Sequence, residues 1–293
     1  MSPVKLPHTV ERVHAGATLV LSGSDRIRWL NGMVTADLTK LGVGTIAFGL
    51  LVTKTGKIRS EVWIASVDAI GEEPARVLVT LPEHIADEVA LELDRYLVMD
   101  DVEMTVTRGL YDWRLLFAAS RAENLPSAEQ TLARAWVQRG DAFVYAAVAS
   151  GAHAKAEDDE AAWTTFRVEH FIPAAGIDFD EANYPQEAAL EIDGVSFQKG
   201  CYLGQEAVFM LQHRGHVKKR LVQLRSEDAA TVFARADRVT TEDGAEVGSV
   251  TSASGPTALA MVKYKAAFAE TSLRVAGAAA RVTPLLAITP DPE

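Results

Sequence analysis

The sequence predicts an α+β protein with a separate small β region at its C-terminal end. Three observations carry this. Strand-like runs bracket one amphipathic helix between residues 45 and 107, a second helical stretch covers about 161–171, and short strands with turn signals take over after residue 216. At roughly 150 residues per domain, 293 residues correspond to about two domains.

The elements follow in order. Thr18-Leu19-Val20-Leu21 reads as a short strand. Ser22-Gly23-Ser24-Asp25 then offers capping oxygens ahead of a helix carrying Ile27, Trp29 and Leu30. From Thr45 to Ser66 apolar runs are broken by Lys54-Thr55-Gly56-Lys57, the pattern of a hairpin with a glycine-containing connection. Arg76 to Leu81 is a further strand. Ile85, Val89, Leu93 and Leu97 recur at helical spacing over Glu83–Leu97, and Val102 to Thr107 alternates as a closing strand. Ser150 to Glu160 is an aperiodic connector whose final acids, Glu157-Asp158-Asp159-Glu160, suit the positive end of the helix that follows. That helix places Trp163, Phe166 and His170 on one face and stops before Pro173. In the C-terminal region Val247–Thr251, Leu259–Val262 and Leu273–Val275 read as strands, and Ala276–Ala280 as an alanine-rich tract.

Composition excludes several functions. The net charge of −11 disfavours a general nucleic-acid or membrane-surface binder, because the long-range field repels polyanions. A single cysteine, Cys201, excludes an internal disulfide, a multi-thiolate zinc site, and a cluster held by this chain's cysteines alone. No apolar stretch reaches about 18 residues, and the opening residues lack a signal-peptide core, so a cytoplasmic protein is expected. Thr55-Gly56-Lys57 lacks the glycine and the Ser/Thr of a phosphate loop. Gly42-Val43-Gly44-Thr45-Ile46-Ala47 is followed by a strand where a dinucleotide loop needs a helix.

The informative stretch is Lys199-Gly200-Cys201-Tyr202-Leu203-Gly204-Gln205-Glu206. Two glycines allow a sharp turn or close approach, Lys199 offers a cation near the thiol, and a helix beginning near Gly204 would add amide donors. This stretch resembles the K-G-C-Y-x-G-Q-E signature of the YgfZ-type folate-binding proteins. These are relatives of the glycine-cleavage T-protein and are implicated in iron–sulfur enzyme maturation. Val34-Thr35-Ala36-Asp37-Leu38, Gly56-Lys57-Ile58, Arg167-Val168-Glu169 with Gly176-Ile177-Asp178, His213 to Val217, and Val247 to Ser252 extend the likeness along nearly the whole chain.

The resemblance implies a T-protein-like folate-binding body over 1–215, with a ferredoxin-like subdomain at about 45–107, and a small β-barrel over 216–293. It implies tetrahydrofolate or a derivative as cofactor, and iron–sulfur enzymes or assembly proteins as partners. Glu169 becomes the candidate pterin ligand, since a carboxylate offers two acceptors to the ring's N–H and adjacent amino group. The bland alternative is an ion pair with Arg167. Arg167, Lys199, Tyr202 and Gln205 are the further candidate folate-binding residues, and Cys201 and Glu61 the candidate catalytic ones. Arg59-Ser60-Glu61 stands where the T-protein has an acidic pair. Val208-Phe209-Met210 replaces an expected arginine, and no glycine follows Glu169. These departures weigh against aminomethyl transfer. The basic run His213-Arg214-Gly215-His216 with Lys218-Lys219-Arg220 suits an anionic folate tail, a partner or a solvated strand edge. As metal ligands His213 and His216 are an incomplete set.

Overall fold

The computed structural model describes residues 9–13, 16–121, 131–151, 159–213, 215–269 and 271–283. Two compact units emerge, one formed by Met1–Thr55, Arg59–Asp158 and Asp193–Gln205, the other by Gly56–Ile58, Asp159–Ile192 and Glu206–Glu293. The architecture is α+β.

The first unit holds strands β1 (Thr9–Val13), β2 (Gly16–Ser22), β3 (Ile46–Val52), β4 (Ile58–Val67), β5 (Arg76–Pro82), β6 (Glu103–Arg108), β7 (Tyr111–Ala118), β8 (Thr131–Arg139) and β9 (Ala142–Ser150). Its helices are α1 (Arg26–Asn31) and α2 (Ala86–Asp94). One sheet runs β3-β4-β5-β2-β6 and a second β1-β7-β9-β8. The strand read at Thr18–Leu21 thus lies between β5 and β6, with Leu19 opposite both Val79 and Val106. Alternation explains why β2 is so deeply buried. Ala17, Leu19 and Leu21 join Leu30, Val79, Val89 and Leu93 in one apolar cluster. Thr18 points the other way, and its hydroxyl accepts from the indole N–H of Trp113 on β7 at 3.1 Å.

Helix details differ from the periodicity. Glu83–Ile85 is a 3₁₀ turn leading into α2. Beyond Asp94 the chain tightens through Tyr96 N–H to Leu93 and Leu97 N–H to Asp94, so Leu97 falls outside the helix. Asp25 makes no side-chain cap to α1. Its carboxylate instead accepts from the Asp101 amide.

The second unit is built on α3 (Glu160–Glu169) and a closed barrel. The barrel strands are β10 (Lys219–Arg225), β11 (Arg238–Thr240), β12 (Glu246–Ser254), β13 (Thr257–Lys263), β14 (Ser272–Val275) and β15 (Ala278–Val282), in the order β10-β13-β12-β11-β14-β15. Closure removes free sheet edges, with Leu224 of β10 opposite Val282 of β15. The Asp159 carboxylate caps α3 by accepting from Ala162 N–H; Glu157 and Asp158 lie outside the described residues. The helix ends because Phe171 adopts a left-handed backbone. Val168 and Phe171 then pack with Ala189, Leu221 and Leu259. The alanine-rich tract is a left-handed Ala276-Gly277 turn followed by β15. Two further helices are the single turn α4 (Glu191–Gly194) and α5 (Gln205–His213). Among the described residues no helix is long and apolar enough to cross a membrane.

Candidate functional site

In the first unit the Lys199–Gln205 segment is fastened to residues 31–36. The Lys199 ammonium donates to the carbonyls of Asn31, Val34 and Ala36 at 2.6, 2.8 and 2.6 Å. Leu203 N–H donates to Gly32 O, Ser196 N–H to Thr35 O, and the buried Thr35 hydroxyl to Gly194 O at 2.5 Å. Gly49 permits this packing: a β-carbon there would stand 2.7 Å from that of Ala36. Between these ties the side chains alternate. Lys199 and Tyr202 are buried, whereas Cys201 is exposed.

The buried ammonium places its three hydrogens on backbone oxygens. Desolvation brings its pKa down to about 8, the charge of Asp37 opposing. Burial likewise pushes the Tyr202 phenol up to about 12. The two glycines differ. Gly204 is left-handed, with φ +78°, and turns the chain into α5. Gly200 has no such backbone, and a β-carbon there would meet nothing within 4 Å. Gln205 opens α5, its amide reaching Gly200 O at 3.5 Å.

Glu61, also in the first unit, is engaged. Arg139 donates to Glu61 Oε1 at 2.7 Å and to Asp193 Oδ2 at 3.1 Å, and its guanidinium lies 3.7 Å from the Phe48 ring centroid. One guanidinium therefore serves two carboxylates. Asp193 Oδ1 is buried without a hydrogen-bond partner among the described residues. Burial raises the Glu61 pKa above the ordinary carboxylate value, Arg139 pulling the other way.

In the second unit Arg167 and Glu169 part company. Arg167 donates to Asp178 Oδ2 at 2.7 Å and to Ser252 Oγ at 2.8 Å. Asp178 also accepts from the hydroxyls of Thr251 and Ser252, each at 2.6 Å, and from Ala174 N–H at 2.9 Å. This network, in which Arg167, Asp178 and Ser252 are buried, joins α3 and residues 174–178 to β12. Gln223 holds the last carbonyls of α3, those of Val168 and Glu169, at 2.7 and 2.9 Å. The Glu169 side chain is exposed, and its carboxylate has no protein partner among the described residues. The Arg167–Glu169 ion pair weighed from sequence does not form.

The basic run separates into unlike environments. Arg220 is buried against Glu191 at 2.7 Å and Gln186 O at 2.8 Å. His213 stacks on Phe209 and His216 on Tyr264. Arg214 lies outside the described residues. Among the described residues no three His, Cys, Asp or Glu side chains form a group able to hold a metal ion. Sequence reasoning passed over Thr35, Arg139, Asp178 and Ser252. The signal for Asp178 and Ser252 is the lone acid and the hydroxyl within two stretches noted only for their likeness.

Comparison with known proteins adds family context. Residues 218–287 match the CAF17 C-terminal beta-barrel domain. The tRNA-modifying protein YgfZ of Aliivibrio fischeri is 25% identical over 240 residues, 76% of this chain and 72% of that protein. The YgfZ of Serratia proteamaculans is 28% identical over 249 residues, 75% and 71% of the two chains. A mitochondrial iron-sulfur cluster assembly factor IBA57 homolog of Pyricularia oryzae is 26% identical over 224 residues, 69% of this chain and 53% of its own. Among solved structures, the glycine cleavage system aminomethyltransferase T of Bartonella henselae has the same fold, with TM-score 0.70 and 15% identity over 95% of this chain and 86% of that one. The chain is thus similar to the YgfZ and IBA57 proteins at about 25% identity, with a T-protein-like fold and a C-terminal barrel that matches the CAF17 barrel domain.

Proposed function

We propose that this chain is a tetrahydrofolate-binding accessory protein that supports the assembly or repair of iron–sulfur enzymes in the reducing cytoplasm. The carrying observation is the exposed Cys201 thiol on a loop whose neighbours are fastened by buried hydrogen bonds. Such a thiol is presented at a fixed place rather than packed in a core, which suits transient chemistry with something a partner brings. One thiolate cannot hold a cluster unaided, so the cluster is cargo of the partner or of an enzyme under repair. The printed name of the IBA57 relatives, iron-sulfur cluster assembly factor, favours this process.

Glu169 is the residue that fits the folate. Its carboxylate is free and exposed, so both oxygens remain available to the N–H and amino groups of a pterin edge. Arg167 is committed to Asp178 and so supports Glu169 indirectly, by fixing the end of α3. When bound, tetrahydrofolate would supply one-carbon carrier chemistry. The engagement of Glu61 by Arg139 leaves an aminomethyltransferase reading with little support.

Calorimetric titration with tetrahydrofolate tests the reading. Glu169→Ala should weaken binding by on the order of 10- to 100-fold, the loss of one or two charge-assisted hydrogen bonds. Equal affinity in the variant removes Glu169 from the site. Absence of binding by the native protein leaves a pure interaction module, and steady-state turnover of an aminomethyl donor at about 1 s⁻¹ would promote the transferase.

A further inference from the structure

The barrel carries a basic cleft that the folate reading does not use. A cavity of about 460 Å³ has His216, Lys218, Lys263, Tyr264 and Lys265 around a floor that includes Val217, Val247 and Ala266, with Thr241 and Thr271 at its side. The fold brings these residues together. Lys219 pairs with Lys263 across β10 and β13, and Tyr264 N–H donates to Lys218 O at 3.0 Å. Residues flanking both strands therefore converge at one end of the barrel. Lys218, Lys263 and Lys265 are exposed, and none has a carboxylate partner among the described residues. Lys263 donates to the backbone carbonyl of Glu246 at 2.9 Å. Glu246 lies beside Arg238 at 3.8 Å, and Asp243 accepts from the Thr241 hydroxyl.

Lys218, Lys263 and Lys265 thus line one cleft without a carboxylate partner among the described residues, in a chain of net charge −11. Lysines act on phosphate as movable point charges. The rings of His216 and Tyr264 supply a second element of recognition, packed at a tilt of 31° with centroids 4.4 Å apart. Planar rings beside cations recognise a nucleobase and its phosphates together. The cavity volume also falls within the range of small-molecule sites, about 300–1,000 Å³.

We infer that this cleft binds a ligand with two or more phosphate groups next to a planar ring, the chemistry of a nucleoside polyphosphate. The inference is independent of folate binding at Glu169. Its test is a calorimetric titration of the full chain with ATP, inorganic tripolyphosphate and adenosine, alongside a short single-stranded RNA. ATP should bind more tightly than tripolyphosphate, and adenosine much more weakly than either. The exposed double variant Lys218→Glu/Lys265→Glu should lose ATP affinity by about tenfold or more, or 1.4 kcal/mol, with its melting temperature unchanged. Tighter binding of the RNA than of ATP, also lost in the double variant, assigns the same phosphate-and-ring chemistry to a strand. Binding that survives the double variant, or no binding of ATP and RNA at millimolar concentration, overturns the inference. Tetrahydrofolate affinity should be the same in the double variant, which separates failure here from failure of the folate reading.

Discussion

Lys199 and Arg167 are both cations withdrawn from water, one in each compact unit, yet they are neutralised differently. Arg167 faces a full carboxylate, Asp178, which is itself closed off and further bonded by Thr251, Ser252 and Ala174. Lys199 meets carbonyl oxygens alone, with Asp37 contributing charge from a distance. A counter-ion holds charge firmly through mutual attraction in a low-dielectric setting. Carbonyl dipoles satisfy the hydrogens but leave a net charge buried, and its desolvation cost is what lowers the pKa. The first arrangement is a fixed joint between helix and barrel. The second fastens a loop bearing an exposed thiol and is sensitive to protonation.

Removing Arg167 should cause the larger loss. Arg167→Ala strands a buried Asp178 carboxylate, and breaking such a pair costs about 3–5 kcal/mol. Urea denaturation should show it, and a second change, Asp178→Asn, should recover part of the loss by removing the stranded charge. Lys199→Met should cost less, about 2–3 kcal/mol, because it orphans carbonyls rather than an ion and water can reach some of them. A Lys199→Met variant as unstable as Arg167→Ala would erase the distinction between the two joints.

pH sharpens the same comparison at a smaller magnitude. The Lys199 pKa is about 8 in the folded chain against an ordinary value of 10.5, so between these limits the unfolded chain binds the extra proton. Stability therefore rises with pH through that window, by on the order of 1–2 kcal/mol after allowing for solvent access. Tyr202 acts in the opposite sense above about pH 10. Its folded pKa is raised to about 12, so there the unfolded chain loses the proton first and stability falls. Chemical denaturation from pH 8 to 10 should give a rising slope in the native protein that Lys199→Met lacks. Parallel curves would place the ammonium in contact with water.

Much of this arrangement was legible from residues, but unevenly. The apolar runs of β2, β5 and β13 mark them as strands, β5 and β13 being buried on both faces. Sheet β1-β7-β9-β8 carries a comparable signal in β9, with Ala142, Val144, Ala146 and Val148 all buried at period two, but small alanines make the alternation weak in sequence. β10 hides behind Lys218-Lys219-Arg220, where only the structure separates the exposed lysines from a buried, paired Arg220. Cys201 and Glu169 stand out in sequence as motif members, and both are exposed. The Glu61–Arg139–Asp193 cluster and the carbonyl cradle of Lys199 join positions 54 to 168 residues apart, and no local pattern encodes such partners.

The smallest effect on stability, and the most informative for function, should come from Cys201. The side chain is exposed and its loop is held by residues 199 and 203 rather than by the sulfur. Cys201→Ala should therefore shift unfolding free energy by less than about 0.5 kcal/mol, as surface substitutions usually do. Iodoacetamide should alkylate the native thiol without prior unfolding, and Lys199→Met should change that rate by altering how the loop is presented. The alanine variant, though folded, should fail to restore iron–sulfur enzyme activity in cells lacking the native protein. If native Cys201 resists alkylation until the chain unfolds and Cys201→Ala complements fully, then the Lys199 joint serves packing alone and the thiol has no part in the function.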